Sequence, residues 1–208
     1  MSKITRSFNF DVEANNNEKH GNFIEGRAIV FDTPTDIGPF EEIISRDALK
    51  ETDLRDVRFL INHNTNMVPL ARSRNNNENS TMQMTVTEDG LHIRADLDTE
   101  NNSDARKLYS AVKRGDISGM SFMMTIDGES WNWENEEHPL RTVEKIGRVY
   151  EVSAVTYPAY PDPATSLEAR SDEEALESAK SALESAKAEA EKSEAINELN
   201  SLLDELEA

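Results

Sequence analysis

The apolar runs in the first 170 residues are short, and most keep a period of two. Side chains at that period fall alternately on the two faces of a strand, so the region can fold only as a β-rich domain. Runs at 4–10, 23–31, 57–63, 82–86, 91–97, 117–126, 142–146 and 148–157 are the predicted strands. Asn15-Asn16-Asn17, Asn75-Asn76-Asn77, Asp89-Gly90 and Asp127-Gly128 are turn signals between several of them. Asp89-Gly90, between Met82–Thr87 and Leu91–Leu97, predicts a hairpin. Many short strands at such spacing suggest a barrel or a sandwich. Two helices interrupt them. One spans 45–51 with Ser45 as its N-cap. The other covers about 103–114, capped by Asn102 or Ser103. In the second, Asp104 suits the positive N-terminal end, Lys113 and Arg114 suit the negative C-terminal end, and Gly115 is the stop. Ala105, Leu108, Ala111 and Val112 form its apolar stripe.

Pro158, Pro161 and Pro163 end the β region. Past Arg170, Ala175-Leu-Glu-Ser-Ala-Lys-Ser repeats seven residues later as Ala182-Leu-Glu-Ser-Ala-Lys-Ala. Glu177/Lys180, Glu184/Lys187 and Glu189/Lys192 are i,i+3 pairs. The segment predicts a helix with a thin stripe: Leu176, Ala179, Leu183, Ala186, Ala190, Ile196, Leu199, Leu203 and Leu206. That stripe needs a partner in its own domain or in another chain; the alternative is a solvated helix. The expected organisation is a β domain at 1–165, a linker at 166–171 and an acidic helical tail at 172–208.

The formal charge of −19 argues against nucleic acid, which needs a basic footprint. Residues 171–208 contribute −9 of it, so a basic partner would be drawn mostly to the tail. Cysteine is absent, which removes disulfides, thiolate nucleophiles and Cys-ligated zinc. No apolar run approaches the roughly 18 residues of a membrane span, and the N-terminus lacks an apolar signal core. The expectation is a soluble protein that stays where it is made. No His-x-x-x-His or Asp-x-Asp-x-Asp-Gly spacing and no Gly-rich phosphate loop occurs, so neither metal nor cofactor is expected.

Of four histidines, only His63 continues the apolar face of a predicted strand, in phase with Val57, Phe59 and Ile61. His20 and His138 fall in polar loops, and His92 faces solvent with Arg94 and Asp96. Ser121 sits where Asp116-Ile-Ser-Gly-Met-Ser-Phe leads into a strand, with Ser118 as the rival nucleophile. Glu151 lies in phase with Val149 and Val155, where an ionised carboxylate is costly unless paired. A histidine N–H would pair it and fix the imidazole tautomer. Hydroxyl, imidazole and carboxylate together are the components of a serine hydrolase. Each has a plainer reading: a satisfied rim histidine, strand-end serines, an edge-strand glutamate facing water.

Over roughly residues 20–165 the ordered motifs resemble the prohead (procapsid maturation) serine proteases of tailed bacteriophages. They are Gly26-Arg-Ala-Ile-Val-Phe-Asp, Val57-Arg-Phe-Leu-Ile-Asn-His63-Asn, the run from Ala105-Arg106 to Arg114-Gly-Asp-Ile-Ser-Gly-Met-Ser121-Phe122, then Trp131, Arg141 and Tyr150-Glu-Val-Ser-Ala-Val-Thr-Tyr-Pro158-Ala-Tyr-Pro161. The resemblance implies an α+β, mainly β fold: a small β-barrel with flanking helices, like the herpesvirus assembly protease, here followed by the acidic tail. It implies His63 as base, Ser121 as nucleophile and Glu151 as orienting acid. Two positions depart from the family pattern: Asn64 stands where aspartate is common, and Met123 where glycine is common. The oxyanion donors stay open among the backbone near Ser121, Arg141 and Arg148.

The resemblance implies a serine endopeptidase in the host bacterial cytoplasm, inside the phage procapsid. Its substrates would be the scaffolding or delta region of the major capsid protein and the protease itself. The proline-punctuated stretch 158–170 is the expected self-cleavage region. The alternative is a non-enzymatic capsid scaffolding or assembly protein, with a β docking domain and a helical tail.

Overall fold

A computed structural model describes residues 3–8, 12–156 and 173–206. Its elements in chain order are β1 (Ile4–Phe8), β2 (Val12–Asn17), β3 (Gly21–Val30), β4 (Thr35–Asp36), β5 (Glu41–Ile44), β6 (Asp56–Ile61), β7 (Ala71–Arg74), β8 (Met82–Val86), β9 (Gly90–Asp96), α1 (Ser103–Arg114), β10 (Gly119–Asn132), β11 (Leu140–Val155) and α2 (Glu173–Leu206). The class is α+β, mainly β. The expected barrel is not closed: among the described residues the strands form two sheets. One is seven-stranded, ordered β1-β10-β11-β5-β4, with β6 joined to β11 and β7 joined to β6. The other is four-stranded, ordered β2-β3-β9-β8. Because β1, β4, β8 and β2 end these paths, each sheet keeps open edges.

The two sheets enclose one core. Ile24, Ala28 and Ile29 of β3 meet Phe59 of β6, Met120, Phe122 and Met124 of β10, and Val149 and Val152 of β11. Phe59 and Phe122 are wholly buried, each contributing about 1.5–3 kcal/mol by leaving water. α1 lies on β2 and β3, with Ala105, Leu108 and Val112 inward. Its N-cap is Asn102, whose side chain accepts from the N–H groups of Asp104 and Ala105. Gly115 closes it at φ 79°, donating to the carbonyls of Ala111 and Val112. The β8–β9 hairpin forms where the sequence predicts it, with its bends at Glu88 and Asp89 and Gly90 opening β9. Gly90 is required there: its φ is +156°, and a Cβ would lie 1.9 Å from the Ile29 carbonyl oxygen.

Four local expectations fail. Residues 46–51 are turns, not a helix; Ala48, Lys50 and Thr52 bond back three residues to Ser45, Asp47 and Leu49, and no i−4 ladder develops. The Asn15-Asn16-Asn17 signal is strand, paired with Phe23, Asn22 and Gly21, and the turn falls on Glu18–His20. Pairing across the strand outweighs the turn preference of asparagine. At Asp127-Gly128 the chain does not turn; β10 runs on, with register shifts on either side of Gly128. These are bulges that bend the strand. The runs 142–146 and 148–157 merge into one strand, β11.

α2 continues the seven-residue pattern as one helix. Its Ala179 and Leu183 pack on Ile37, Phe40 and Trp131 of the β domain, while Ile196 and Leu199 remain exposed. The linker 166–171 and the segment 158–170 lie outside the described residues. Among the described residues, no helix is long and apolar enough to cross a membrane, and no group of three His, Cys, Asp or Glu side chains is placed to hold a metal ion.

Candidate active site

β11 is the scaffold of the site. It pairs antiparallel with β10, setting Ser153 opposite Ser121 and Glu151 opposite Met123. Along its other edge it pairs in parallel with β6, setting Glu151 beside Arg58 and Ser153 beside Leu60. Glu151 is therefore interior to the sheet, not on an edge, and is 2% exposed. Residues directly opposite in an antiparallel pair share a face, as do i and i+2 along one strand. Ser121, Ser153 and Glu151 thus share one face of the β10–β11 pair.

His63 does not lie on a strand. β6 stops at Ile61, and Asn62 and His63 take left-handed φ values of 48° and 54°. Such values suit asparagine and histidine better than apolar or β-branched residues. Asn62 is tied down twice: its Oδ1 accepts the Thr156 N–H at 2.9 Å, and its Nδ2 donates to Thr156 Oγ1 at 3.0 Å. The turn carries the imidazole over β11, where Nδ1 is 2.6 Å from Glu151 Oε1. The period-two expectation that His63 continues a strand face is therefore overturned; the turn after β6 aims it instead.

Ser153 completes this contact and was missed in the sequence. Its Oγ accepts the His63 backbone N–H at 3.1 Å and donates to Glu151 Oε2 at 2.5 Å. One hydroxyl thus holds both the turn and the carboxylate. The available signal was its position two residues after Glu151, on the same face. With Nδ1 donating to Glu151, the imidazole presents Nε2 as an acceptor, and Nε2 is buried without a hydrogen-bond partner.

Ser121 is wholly buried in β10. Its hydroxyl donates to the Arg6 carbonyl of β1 at 2.7 Å, not to His63. Ser118 is exposed and precedes β10. The other histidines pair elsewhere: His20 with Asp96, His92 with Asp89 and His138 with Asp36.

On the core face of the same sheet, opposite the face of Ser121 and Glu151, lies a buried ionic network. Glu42 of β5 takes Arg6 through both oxygens, Nε to Oε1 at 2.5 Å and Nη2 to Oε2 at 2.8 Å. Arg141 of β11 reaches the same Oε2 at 3.2 Å and also binds Glu129. Phe40 and Trp131 face the Arg141 guanidinium at 5.8 and 5.7 Å. Burial pushes the Glu42 carboxyl up, but Arg6 and Arg141 outweigh it and hold it below its ordinary range. Arg141 is thereby committed to two carboxylates, which removes it as an oxyanion donor. Arg148 stacks on Tyr150 at 4.9 Å.

The sequence profile of the caudovirus prohead serine proteases matches residues 8–178 of this chain. The chain belongs to that family. The match spans β2 to β11, the elements that carry Ser121, His63 and Glu151. Membership makes the chain a protease of phage prohead assembly, which sets aside the non-enzymatic alternative. Among solved structures, the bacteriophage T4 capsid assembly protease is similar at 14% identity, over 73% of this chain and 98% of that one, with a TM-score of 0.35. A likeness that loose carries no argument about the site. No curated protein matches the chain.

Proposed function

We propose that this prohead protease is a serine endopeptidase with Ser121 as nucleophile, His63 as general base and Glu151 as the acid that orients it. The observation that carries the reading is the His63–Glu151 contact at 2.6 Å, with Nε2 left as a buried acceptor on the side away from the carboxylate. Glu151 fixes the tautomer and would stabilise the imidazolium formed when Nε2 takes the Ser121 proton. Ser121 Oγ then bonds to a peptide carbonyl carbon. The amine leaves with the proton from His63, and water releases the acyl group by the reverse proton path. The left-handed turn at Asn62-His63 is the strained element, costing about 1–3 kcal/mol, and Ser153 and Thr156 hold it.

The substrates in this reading are the scaffolding or delta region of the major capsid protein and the protease itself, within the procapsid. The domain at 1–165 performs the cleavage. The acidic tail at 172–208 is a scaffold-like packaging element, removed by a cut in the 158–170 stretch. The test is intact-mass spectrometry of wild type and Ser121→Ala, each co-expressed with its major capsid protein. Trimmed capsid protein and enzyme in wild type, with both at full length in the alanine variant, is the expected result. Full-length proteins in assembled shells with either variant would sink the proposal.

A further inference from the structure

Strand β1 does not behave like ordinary packing. It lies at the end of the seven-stranded sheet and pairs antiparallel with β10, residue for residue, from Ile4↔Met124 to Phe8↔Met120. Ser7 stands opposite Ser121, and the Arg6 carbonyl accepts the Ser121 hydroxyl. An extended segment added to a sheet edge, with one peptide carbonyl brought to a nucleophilic hydroxyl, is how a protease receives a substrate by β-augmentation. The side chain of that same residue passes to the other face: Arg6 stands opposite Phe122, on the core side of β10, away from the face of Ser121. Arg6 is 2% exposed and clasped by Glu42, itself 2% exposed, with Nη1 turned back to the Thr5 carbonyl at 2.9 Å.

We propose that β1 occupies the place of a bound substrate strand, and that Glu42 selects an arginine at the residue whose carbonyl meets Ser121. The inference rests on Ser121 being the nucleophile. Charge counting supports the selection. Arg6 and Arg141 balance Glu42 and Glu129 within the network. When β1 leaves, Arg141 alone serves two carboxylates, and a buried carboxylate short of its cation is strongly unfavourable. An incoming strand must restore the cation. The bidentate geometry at Glu42 fits the planar guanidinium fork better than the point charge of lysine.

β1 is held unproductively. The Ser121 proton is donated to the Arg6 carbonyl oxygen, so it is not on its way to Nε2 of His63. The resident strand therefore keeps the enzyme closed to other chains until it is displaced. In a productive substrate, Oγ forms a bond to the carbonyl carbon, the bond to the next residue's nitrogen breaks, and that amine departs with the proton relayed by His63.

The test uses the full chain and peptidyl diphenyl phosphonates carrying arginine, alanine or glutamate next to phosphorus. Their reaction forms the Ser Oγ–P bond and releases phenol, and intact mass reads it. Variants are Arg6→Ala, Arg6→Lys and Arg6→Ala/Glu42→Gln, each checked for cooperative melting. The arginyl probe should label Arg6→Ala at least tenfold faster than wild type, with Arg6→Lys between them. In Arg6→Ala it should beat the alanyl probe by roughly 10- to 100-fold, the size of a charge-assisted bidentate contact. That preference should vanish in the double variant while alanyl labelling persists. Should Arg6→Ala fail to melt cooperatively, Arg6→Lys, which keeps the buried cation, must still label faster than wild type. Equal labelling of wild type and the folded variants, or no arginyl preference, overturns the inference. A small fluorophosphonate separates the two levels. If it modifies Ser121 while the peptidyl probes do not, the strand placement is wrong. If it fails at Ser121 in every variant, the nucleophile reading falls and this inference with it.

Discussion

Replacing Glu151 by glutamine should invert the tautomer of His63, and the reason lies in Ser153. The Ser153 hydroxyl accepts the His63 backbone N–H, so its single proton must go to Glu151 Oε2. A glutamine must place its carbonyl oxygen there to accept it. That leaves the amide NH2 facing Nδ1, a contact that is 2.6 Å in the native chain. Nδ1 then becomes the acceptor and the ring proton moves to Nε2, which can no longer take a proton from Ser121. Turning the amide over sets two donors against each other at Ser153, at a cost of about 1–3 kcal/mol. The competent tautomer is then depleted roughly 10- to 100-fold. Losing the carboxylate that faces the imidazolium removes a charge-assisted bond of about 1.5–3 kcal/mol more. Together these predict a fall in acylation rate of about 10²- to 10⁴-fold. Single-turnover cleavage measures it, and ¹⁵N NMR of the ring nitrogens reads the tautomer. Adding Ser153→Ala to the glutamine variant frees the amide to turn over and should return about tenfold of the rate. A loss below tenfold in Glu151→Gln, or a ring still protonated at Nδ1, would refute this account.

Gly90→Ala should cost at least about 3 kcal/mol in urea unfolding, because its Cβ meets the Ile29 carbonyl at a left-handed φ; a cost under 1 kcal/mol would contradict that geometry. Glu42 has a folded pKa below its unfolded value of 4.5, so its contribution to stability is full above about pH 4.5 and is lost as pH falls through the folded value. Glu42→Gln should therefore flatten the acid limb of stability below about pH 4.5, and an unchanged limb would show that other carboxyls dominate it. Ala179→Glu places a carboxylate where the tail helix meets Phe40 and Trp131; amide exchange along 177–200 should quicken while β10 and β11 stay protected. Uniform protection would mean that the contact does not hold the tail.

How much could be read in advance depended on the range of the interactions. α1 is set by residues within a turn of its ends; its bounds and its stop at Gly115 were legible, and its N-cap was narrowed to Asn102 or Ser103, of which the structure has Asn102. The Asp89-Gly90 hairpin was legible too. Glu151 was expected in phase with Val149, but the register shift between Met123 and Met124 sets it on the face opposite Val149, with Ser153 and Ser121. β5 was not legible because it exists through β11, far along the chain; Asn15–Asn17 were misread although their partners, Gly21–Phe23, are close, because turn preference was weighed above cross-strand pairing. The closed barrel failed because periodicity gives faces, not edge pairing. His63 was found by elimination, but the left-handed turn that aims it depends on Thr156, 94 residues later. The Arg6–Glu42–Arg141 network and the role of Ser153 join three separate strands and the turn after β6, and no local pattern announces them.

That same separation sets a clock during synthesis. His63 and Glu151 are 88 residues apart, and Arg6 and Ser121 are 115 apart. At roughly 5–20 residues per second, the ribosome needs about 4–18 s after releasing His63 to supply its carboxylate. β6 can pair with β7 early, but its other edge waits for β11. In the proposed reading, a growing chain therefore lacks a complete site until β11 has been made.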